Sequence, residues 1–344
     1  SGCVVGGTKM LRNATESKGV FVCAEVRKGK IHSVTMELIG KARELADKKN
    51  TSVTCILFCG AIIDQPEILF SYGADRVFLI KNGKLTYFNQ EIAAKLLSFI
   101  IIKYMPEIVL APATSEGRTY LPAVAAMVHT GLTAECTVLD IDPENGLLLQ
   151  TRPAIGGNIM ATIKTPEHVP QMSTVRPKTF RIPAPSKFKG EVIIPDIPEN
   201  VFESRIKVLD MEYNSAEEAN IQDKEIVISG GKGLKKPENF SLIRELAELL
   251  GGGVGASRPT VEAKWISYPH QVGLSGKVVS PKFYLAAGIS GAVQHLAGMQ
   301  TANKIVAVNK DPDAPIFRVA DVALCGEIID ILPRLIARIR KEMN

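Results

Sequence analysis

The residues best placed to do chemistry follow an apolar run late in the chain. Phe283–Ala287 predicts a buried strand, and Gly288-Ile289-Ser290-Gly291 comes directly after it. We expect Ser290 to cap a helix there, whose unpaired N–H groups and positive dipole end attract anions. A second predicted strand, Lys304–Asn309, brings Asn309-Lys310-Asp311 to the same edge of the sheet. Open α/β sheets bind ligands at that edge, so the pattern predicts a phosphate or flavin site.

Three further turns could approach a ligand, although each also has a purely structural explanation. Ser229–Gly233 follows an apolar strand, but it lacks the third glycine of the dinucleotide fingerprint and the Walker ending. A plain tight turn is therefore an alternative there. Gly251–Arg258 ends a predicted helix, where glycines also serve as C-caps and bulges. Gln271–Lys277 on its own is typical of a turn.

Single residues in these segments also have two interpretations. Arg258 could be an ordinary surface ion pair, and His295 could be a core histidine with both nitrogens bonded. Asn309 and Asp321 could be a strand end and a helix cap. Ser290 faintly resembles the nucleophile of a serine hydrolase, but that elbow needs glycine where Ala292 stands, which argues against it.

Four ordered blocks together resemble the α subunit of electron-transfer flavoproteins. They are SGGKGLKKPENF from Ser229, QVGLSGK from Gln271, AAGISGAVQHLAGM from Ala286 and VAVNKDPDAPIF from Val306. This is far more specific than one glycine fingerprint, and the resemblance is looser in the earlier part of the chain. There, TRPAIGGN and PQMSTVRP resemble the branch of the family that occurs with electron-bifurcating complexes in anaerobes.

The resemblance implies one non-covalently bound FAD in the C-terminal part of the chain. The residues that it places at the cofactor are Gly231, Lys232, Ser257, Arg258, Gln271, Val272, Gly273, Leu274, Ser275, Gly276, Gly288, Ser290, Gly291, Ala292, Val293, Gln294, His295, Asn309, Lys310, Asp311 and Asp321. Among them, Arg258 is implied to lie near the flavin ring, where a permanent cation favours the one-electron-reduced, negatively charged form. His295 is implied to donate to the O2 side of the flavin, and Asn309 to contact the nucleotide half.

Three positions of the chain depart from the family's usual pattern. Lys232 stands where the family usually has arginine, so a bidentate phosphate contact becomes a point-charge contact. Leu274 and Ser275 stand where many members have glutamine and threonine, in the loop implied to lie against the pyrimidine and N5 edge of the flavin. Ser275 keeps the hydroxyl of threonine, whereas Leu274 lacks the amide of glutamine. The resemblance therefore implies a different hydrogen-bond pattern around the flavin ring, and with it a different flavin potential.

The resemblance also implies partners and a role. The chain would pair with a homologous β subunit, and its FAD would accept electrons from the β-subunit flavin and pass them singly to an acyl-CoA dehydrogenase-type flavoprotein. It implies an electron carrier rather than a stand-alone enzyme, and leaves open a bifurcating complex that uses NADH and ferredoxin or flavodoxin. The alternative from another class is a nucleotide-binding regulatory module without redox activity, which would be colourless when purified.

Composition sets broad limits on the class of protein. With 344 residues, of which 46% are hydrophobic and 22% charged, the chain can form two domains with real cores. A net charge of +5 with scattered cations argues against nucleic-acid binding. No apolar run reaches the ~18–20 residues that span a bilayer, and no signal core follows the start, so we expect a cytoplasmic protein without membrane insertion. The six cysteines are too dispersed for a disulfide framework or a metal site.

Periodicity predicts an α/β protein with two domains. We expect an N-terminal extension (1–18), a Rossmann-like domain of the adenine nucleotide hydrolase type (19–200) and a flavodoxin-like, doubly wound FAD-binding domain (201–344). Five prolines predict an extended connector over 176–200. Within the second domain, we expect a strand near Lys264–Ile266 and a closing helix over Glu327–Lys341.

Overall fold

The computed structural model of the chain describes residues 17–154, 159–187, 189–209 and 221–343. They divide into two compact units, the first formed by residues 17–154 and 160–209 and the second by residues 221–343. Most of the expected N-terminal extension lies outside the described residues, as do residues 155–158 of the TRPAIGGN run. Each unit is an α/β structure built on a parallel sheet, which confirms the predicted fold class.

The first unit contains three helices and twelve strands, two of which form a small antiparallel ribbon. The strands are β1 (Val20–Cys23), β2 (Val26–Arg27), β3 (Lys30–Ile31), β4 (Val53–Cys59), β5 (Arg76–Lys81), β6 (Ile108–Pro112), β7 (Leu132–Cys136), β8 (Val138–Ile141), β9 (Leu148–Pro153), β10 (Met160–Ile163), β11 (Gln171–Val175) and β12 (Glu191–Ile193). The helices are α1 (Ser33–Lys48), α2 (Gln90–Tyr104) and α3 (Ser115–Met127). Seven strands form a parallel sheet in the order β12-β5-β4-β1-β6-β11-β7, and β10-β9-β8 form an antiparallel sheet.

Local sequence explains the main elements of this unit. The central strands β1 and β6 are apolar and buried throughout, as expected of a parallel sheet covered on both faces. Helix α2 begins at the side chain of Asn89, which accepts hydrogen bonds from two backbone N–H groups, and it ends at Met105 in the left-handed conformation. A turn around residues 143–146 joins β8 to β9 as an antiparallel hairpin. The proline-rich segment contributes β12, an edge strand that pairs with β5, where prolines are tolerated.

The second unit has five parallel strands and four helices. They are β13 (Ile226–Gly230), α4 (Phe240–Leu249), β14 (Gly253–Ala256), α5 (Arg258–Glu262), β15 (Phe283–Ala287), α6 (Val293–Leu296), β16 (Ile305–Asn309), β17 (Val322–Cys325) and α7 (Ile328–Met343). The sheet order is β14-β13-β15-β16-β17, which in chain order is second, first, third, fourth, fifth. This is the flavodoxin order, with a switch point between the first and third strands.

Two expectations for this unit are wrong. Lys264–Ile266 is a turn, and the strand beside β13 is β14, whose glycine-rich sequence Gly253–Ala256 gave little strand signal. The helix expected to start at Ser290 begins instead at Val293, with Ala292 as its N-cap residue and no side-chain capping bond. This helix has four residues, so it does not form the dipole-based anion site expected from Ser290. No helix within the described ranges is long and apolar enough to cross a membrane.

Candidate functional site

A cavity of about 550 Å³ lies at the carboxyl ends of β13 and β15. These two strands are adjacent in the sheet and mark the point where the strand order reverses. Flavodoxin-like sheets bind their ligands at this switch point, and the volume is in the usual range of small-molecule sites. The candidate site therefore lies where the fold by itself predicts one.

Most of the residues predicted at the cofactor line this cavity. They are Lys232, Ser257, Arg258, Val272, Gly273, Ser275, Gly288, Ser290, Ala292, Gln294, His295, Asn309 and Lys310. The loops after four strands supply them, since β13, β14, β15 and β16 all end at this edge. Residues as far apart in the chain as Lys232 and Lys310 are thus brought together at one edge of the sheet.

Two glycines let the loops after β13 and β15 approach each other at the base of the cavity. A Cβ atom on Gly231 would lie 2.1 Å from the carbonyl oxygen of Gly288. Because that oxygen is a backbone atom, no side-chain movement could relieve the clash. Gly288 itself has φ +67°, in the left-handed region that favours glycine. Two backbone hydrogen bonds hold the loops together, from Gly231 N to Ala287 O (2.8 Å) and from Gly233 N to Gly288 O (3.0 Å).

Four cationic side chains surround the cavity, and they are held in different ways. Lys235 pairs with Glu327 at 2.8 Å, and Arg258 pairs with Glu262 at 2.8 Å. Both members of the Arg258 pair are more than half exposed, so the pair contributes little to stability and can be released at little cost. Lys232 and Lys310 have no carboxylate partner within ion-pair distance among the described residues. The site therefore has a positive surplus suited to an anionic ligand.

The loop Gln271–Lys277 forms one wall and is held by its own side chains. The Gln271 amide nitrogen donates to the backbone oxygen and to Oγ of Ser275, both at 3.1 Å, while the Tyr268 hydroxyl donates to the same backbone oxygen at 3.0 Å. Leu274, at the position where the family often has glutamine, is 67% exposed and does not line the cavity. Gln271 thus acts on the cavity through Ser275.

His295 is buried in the cavity wall with both ring nitrogens bonded. Nδ1 lies 3.0 Å from the carbonyl oxygen of Val272, and Nε2 lies 3.0 Å from the hydroxyl of Tyr284. A carbonyl oxygen only accepts, so Nδ1 carries the proton and Nε2 accepts from Tyr284. Burial lowers the pKa of His295 to about 4, and the bond to Val272 opposes this only in part. The neutral ring has no further N–H for a ligand, which corresponds to the core-histidine alternative rather than to the implied flavin donor.

Asn309 organises the turn that follows β15. Its amide nitrogen donates to Ile289 O at 2.9 Å, and its amide oxygen accepts from Asp311 N at 3.0 Å.

The carbonyl of Ser290 accepts from Ile316 N at 3.0 Å. No hydrogen bond joins Ser290 to an imidazole in the described part of the chain, and the nearby His295 ring is fully engaged. The arrangement lacks the nucleophile and base of a serine hydrolase.

Eight predicted residues do not line the cavity. Gly231, Gln271, Leu274, Gly276, Gly291, Val293 and Asp311 lie next to lining residues in the chain and shape the loops behind the wall. Asp321 lies at the opposite edge of the sheet, where its carboxylate accepts from the Ile305 N–H at 2.8 Å and pairs with Lys304 at 3.1 Å. That backbone hydrogen bond is the main reason why the pKa of Asp321 is lowered. The structure thus separates Asp321 from the candidate site.

Six lining residues were missed by the sequence reasoning. They are Gly233, Lys235, Pro259, Ile289, Glu327 and Ile328. Gly233, Pro259 and Ile289 are immediate neighbours of predicted residues, and Lys235 lies three positions after Lys232 in the same motif. Glu327 and Ile328 come from the start of α7, which returns to this sheet edge after β17. The helix itself was predicted, but the short exposed strand β17 before it was not. The sequence therefore did not show that α7 begins at the edge of the sheet where the cavity lies.

Two known domain families match the chain, one over each unit. Residues 20–200 match the electron transfer flavoprotein domain, and residues 220–300 match the electron transfer flavoprotein FAD-binding domain. The chain belongs to the electron-transfer flavoprotein α-subunit family. The α subunit of Thermoanaerobacterium thermosaccharolyticum is 47% identical over 325 residues, covering 94% of this chain and 98% of the relative. That of Clostridium acetobutylicum is 42% identical, covering 96% of this chain and all of the relative.

Another relative carries a different name. The lactate dehydrogenase (NAD(+),ferredoxin) subunit LctC of Acetobacterium woodii is 41% identical over 330 residues, covering 95% of this chain and 78% of that protein. Family membership identifies FAD as the cofactor of this electron-transfer flavoprotein α subunit. The cavity fits that cofactor, because glycine backbones meet at its base and because it is lined by two lysines with no carboxylate within ion-pair distance among the described residues. The described residues contain no group of three or more side chains that could hold a metal ion.

Proposed function

We propose that this chain is the FAD-binding α subunit of a heterodimer that relays electrons between flavoproteins. Its FAD accepts electrons from the flavin of a β subunit and passes them one at a time to a dehydrogenase of the acyl-CoA dehydrogenase type. The FAD match over residues 220–300 favours this role over a regulatory nucleotide-binding module without redox activity. We place the heterodimer in the cytoplasm.

One observation carries the choice of a relay over an enzyme that transforms its own substrate. The imidazole in the cavity wall, His295, is bonded through both nitrogens, so it offers no free acid or base. FAD, when bound, supplies the electron chemistry. The protein is left with the tasks of binding the cofactor, orienting it and setting the charge around it.

Particular residues would perform these tasks. Lys232 and Lys310 present uncompensated positive charge, which suits the diphosphate of FAD, and the Gly231–Gly288 approach lets the backbone come close to it. Arg258 remains cationic at any working pH and is free to leave Glu262. Ser275 presents a hydroxyl held in place by Gln271.

Bifurcation and the identity of the electron acceptor are further parts of the proposal. The runs that resemble the bifurcating branch support a complex in which NADH reacts at the β subunit and ferredoxin or flavodoxin receives part of the electrons. A second candidate acceptor is a lactate dehydrogenase, favoured by the 41% identity with the LctC subunit. Both candidates use the same relay function of this chain and differ in the dehydrogenase that docks.

Co-expression of the chain with its β subunit tests the proposal. The purified pair should be yellow, and its flavin should be identified as FAD after release by denaturation. Under anaerobic conditions the NADH-reduced pair is mixed with a purified acyl-CoA dehydrogenase or with a purified lactate dehydrogenase, and reduction of each is followed by absorbance. Added ferredoxin reports bifurcation.

The outcomes separate the parts of the proposal. Transfer to one dehydrogenase and not to the other identifies the acceptor class. A pair that binds FAD but reduces neither dehydrogenase would contradict the relay function while leaving the cofactor assignment intact. The matched control is the pair from which FAD has been removed, which must lose electron transfer. Adding FAD back to this pair must restore the transfer.

A further inference from the structure

The single tryptophan of the chain lies beneath one cation of the FAD cavity. The ammonium nitrogen of Lys232 is 4.2 Å from the centroid of the Trp265 ring, well within the range of a cation–π interaction. Trp265 is itself partly buried against the core of the second unit and packs edge-on to Phe240, with 6.5 Å between ring centroids. Its ring is therefore a fixed surface, whereas the side chain of Lys232 is long and exposed.

The way in which Lys232 is held differs from that of its neighbours. Lys235 and Arg258 are held by the carboxylates of Glu327 and Glu262, which cancel much of the charge that a ligand would experience. An aromatic ring attracts an ammonium through its quadrupole and carries no net charge. A lysine held by such a ring therefore has a restricted position and keeps its full positive charge for a second partner.

From this geometry we infer that Trp265 is a positioning residue of the FAD site, which fixes Lys232 on the cavity wall and leaves its charge available to the anionic part of FAD. Trp265 does not line the cavity and acts through Lys232. A long lysine side chain loses much rotamer entropy when it is fixed, so restricting Lys232 before FAD binds reduces the entropy lost on binding. The inference rests on FAD binding and is independent of which dehydrogenase accepts the electrons.

A double-mutant cycle on the co-expressed, FAD-depleted pair tests the inference. The dissociation constant for FAD is measured for the unmodified protein, Trp265→Leu, Lys232→Met and the double variant. We expect Trp265→Leu to weaken binding about fivefold, a size typical of one cation–π contact, and to change it less than about 1.5-fold when Lys232 is already methionine. The dependence of the dissociation constant on salt should become shallower in Trp265→Leu and in Lys232→Met alike.

Equal weakening by Trp265→Leu in both backgrounds would show that the ring only packs the core, and unchanged binding would also overturn the inference. Trp265→Phe keeps a ring with a weaker cation–π interaction, so it should weaken FAD binding about twofold. If the leucine variant does not fold, the cycle is run with phenylalanine. Arginine stacks well on an aromatic ring, so Lys232→Arg should bind FAD at least as tightly as the unmodified protein. This tight binding should be lost when Trp265→Leu is added.

Trp265 also provides a signal that does not depend on activity. The difference between the fluorescence of the unmodified pair and that of the Trp265→Phe pair isolates the emission of this one side chain. FAD titrated into the depleted pair should quench the difference signal with the same dissociation constant as the cofactor titration. If the difference signal does not change when FAD is added, Trp265 lies too far from the cofactor to act as inferred.

Discussion

Gly231 and Gly288 face each other across the carboxyl ends of β13 and β15, and a Cβ atom on Gly231 would lie 2.1 Å from the Gly288 carbonyl oxygen. The contact joins the two loops that form the base of the proposed FAD cavity. Since the obstructing atom belongs to the backbone, a larger residue can be accommodated only if the strands or loops move. The closeness of the two loops is therefore a property of the sheet itself.

Gly231→Ala should lose FAD and destabilise the second unit by about 2–3 kcal/mol, as expected for overpacking against backbone. The measurement is the FAD content of the purified protein together with its denaturant unfolding curve. Gly251→Ala is the matched control, because Gly251 has φ +63° but open space around its Cβ position. It should cost about 1 kcal/mol of left-handed strain and keep FAD. Full FAD occupancy in Gly231→Ala would contradict the assignment of this loop to the cavity.

Arg258→Ala should lower the first one-electron potential of the bound FAD. The guanidinium favours a negatively charged flavin, and its exposure limits the effect to about 1 kcal/mol, which is ~40 mV for one electron. Arg258→Lys should have a smaller effect, because a more hydrated point charge replaces a planar cation. Spectroscopic redox titration measures both. Glu262→Gln is the control, since it frees Arg258 from its partner and should leave the potential unchanged or raise it.

The stability of the second unit should fall on acidification below about pH 6.5 because of His295. Burial lowers the pKa of His295 in the folded protein to about 4, from an ordinary histidine value of about 6.5, so between these values the unfolded chain binds more protons. Stability is therefore retained above about pH 6.5 and lost as the pH falls toward 4, by about 3 kcal/mol. In His295→Gln, whose amide can accept from Tyr284 and donate to Val272, this slope should be flatter. The same slope in the variant would assign it to other groups.

Glu116 should make the first unit less stable at neutral and alkaline pH. Burial, followed by the nearby charge of Glu25, raises the pKa of Glu116 to about 7, so the folded state binds the extra proton between about pH 4.5 and 7. Unfolding free energy should fall across that interval and level off above it. Glu116→Gln should remove this dependence and stabilise the protein by about 1–2 kcal/mol at pH 8, after allowance for partial exposure. Equal pH profiles for the two proteins would refute the assignment.

The cavity was largely predictable because its residues follow apolar strands in short, ordered motifs. The strands Phe283–Ala287 and Ile305–Asn309 are apolar and buried, and the polar residues come directly after them. The sequence could not show whether Arg258 and His295 serve the ligand or the protein. That choice depends on Glu262, Val272 and Tyr284, which contact them only in the folded structure.

The missed elements have a common physical cause. β14 is half glycine, and the buried strand β11 carries Gln171, Ser173 and Thr174, so neither resembles the apolar run of a central parallel strand. In β11 the polar groups are satisfied by tertiary partners, such as the Leu148 N–H that donates to the Gln171 side chain at 2.7 Å. Partners so far along the chain leave no local pattern.

The spread of cavity residues along the chain has a consequence for protein synthesis. The first unit draws its core from residues before 210, so it can fold while the second is still being made. The proposed FAD cavity is lined by Lys232, which is made early in the second unit, and by Ile328, which is made after all five of its strands. Cofactor loading is therefore one of the last events in the maturation of this protein. In a shortage of flavin, chains would accumulate with a folded first unit and a second unit without FAD.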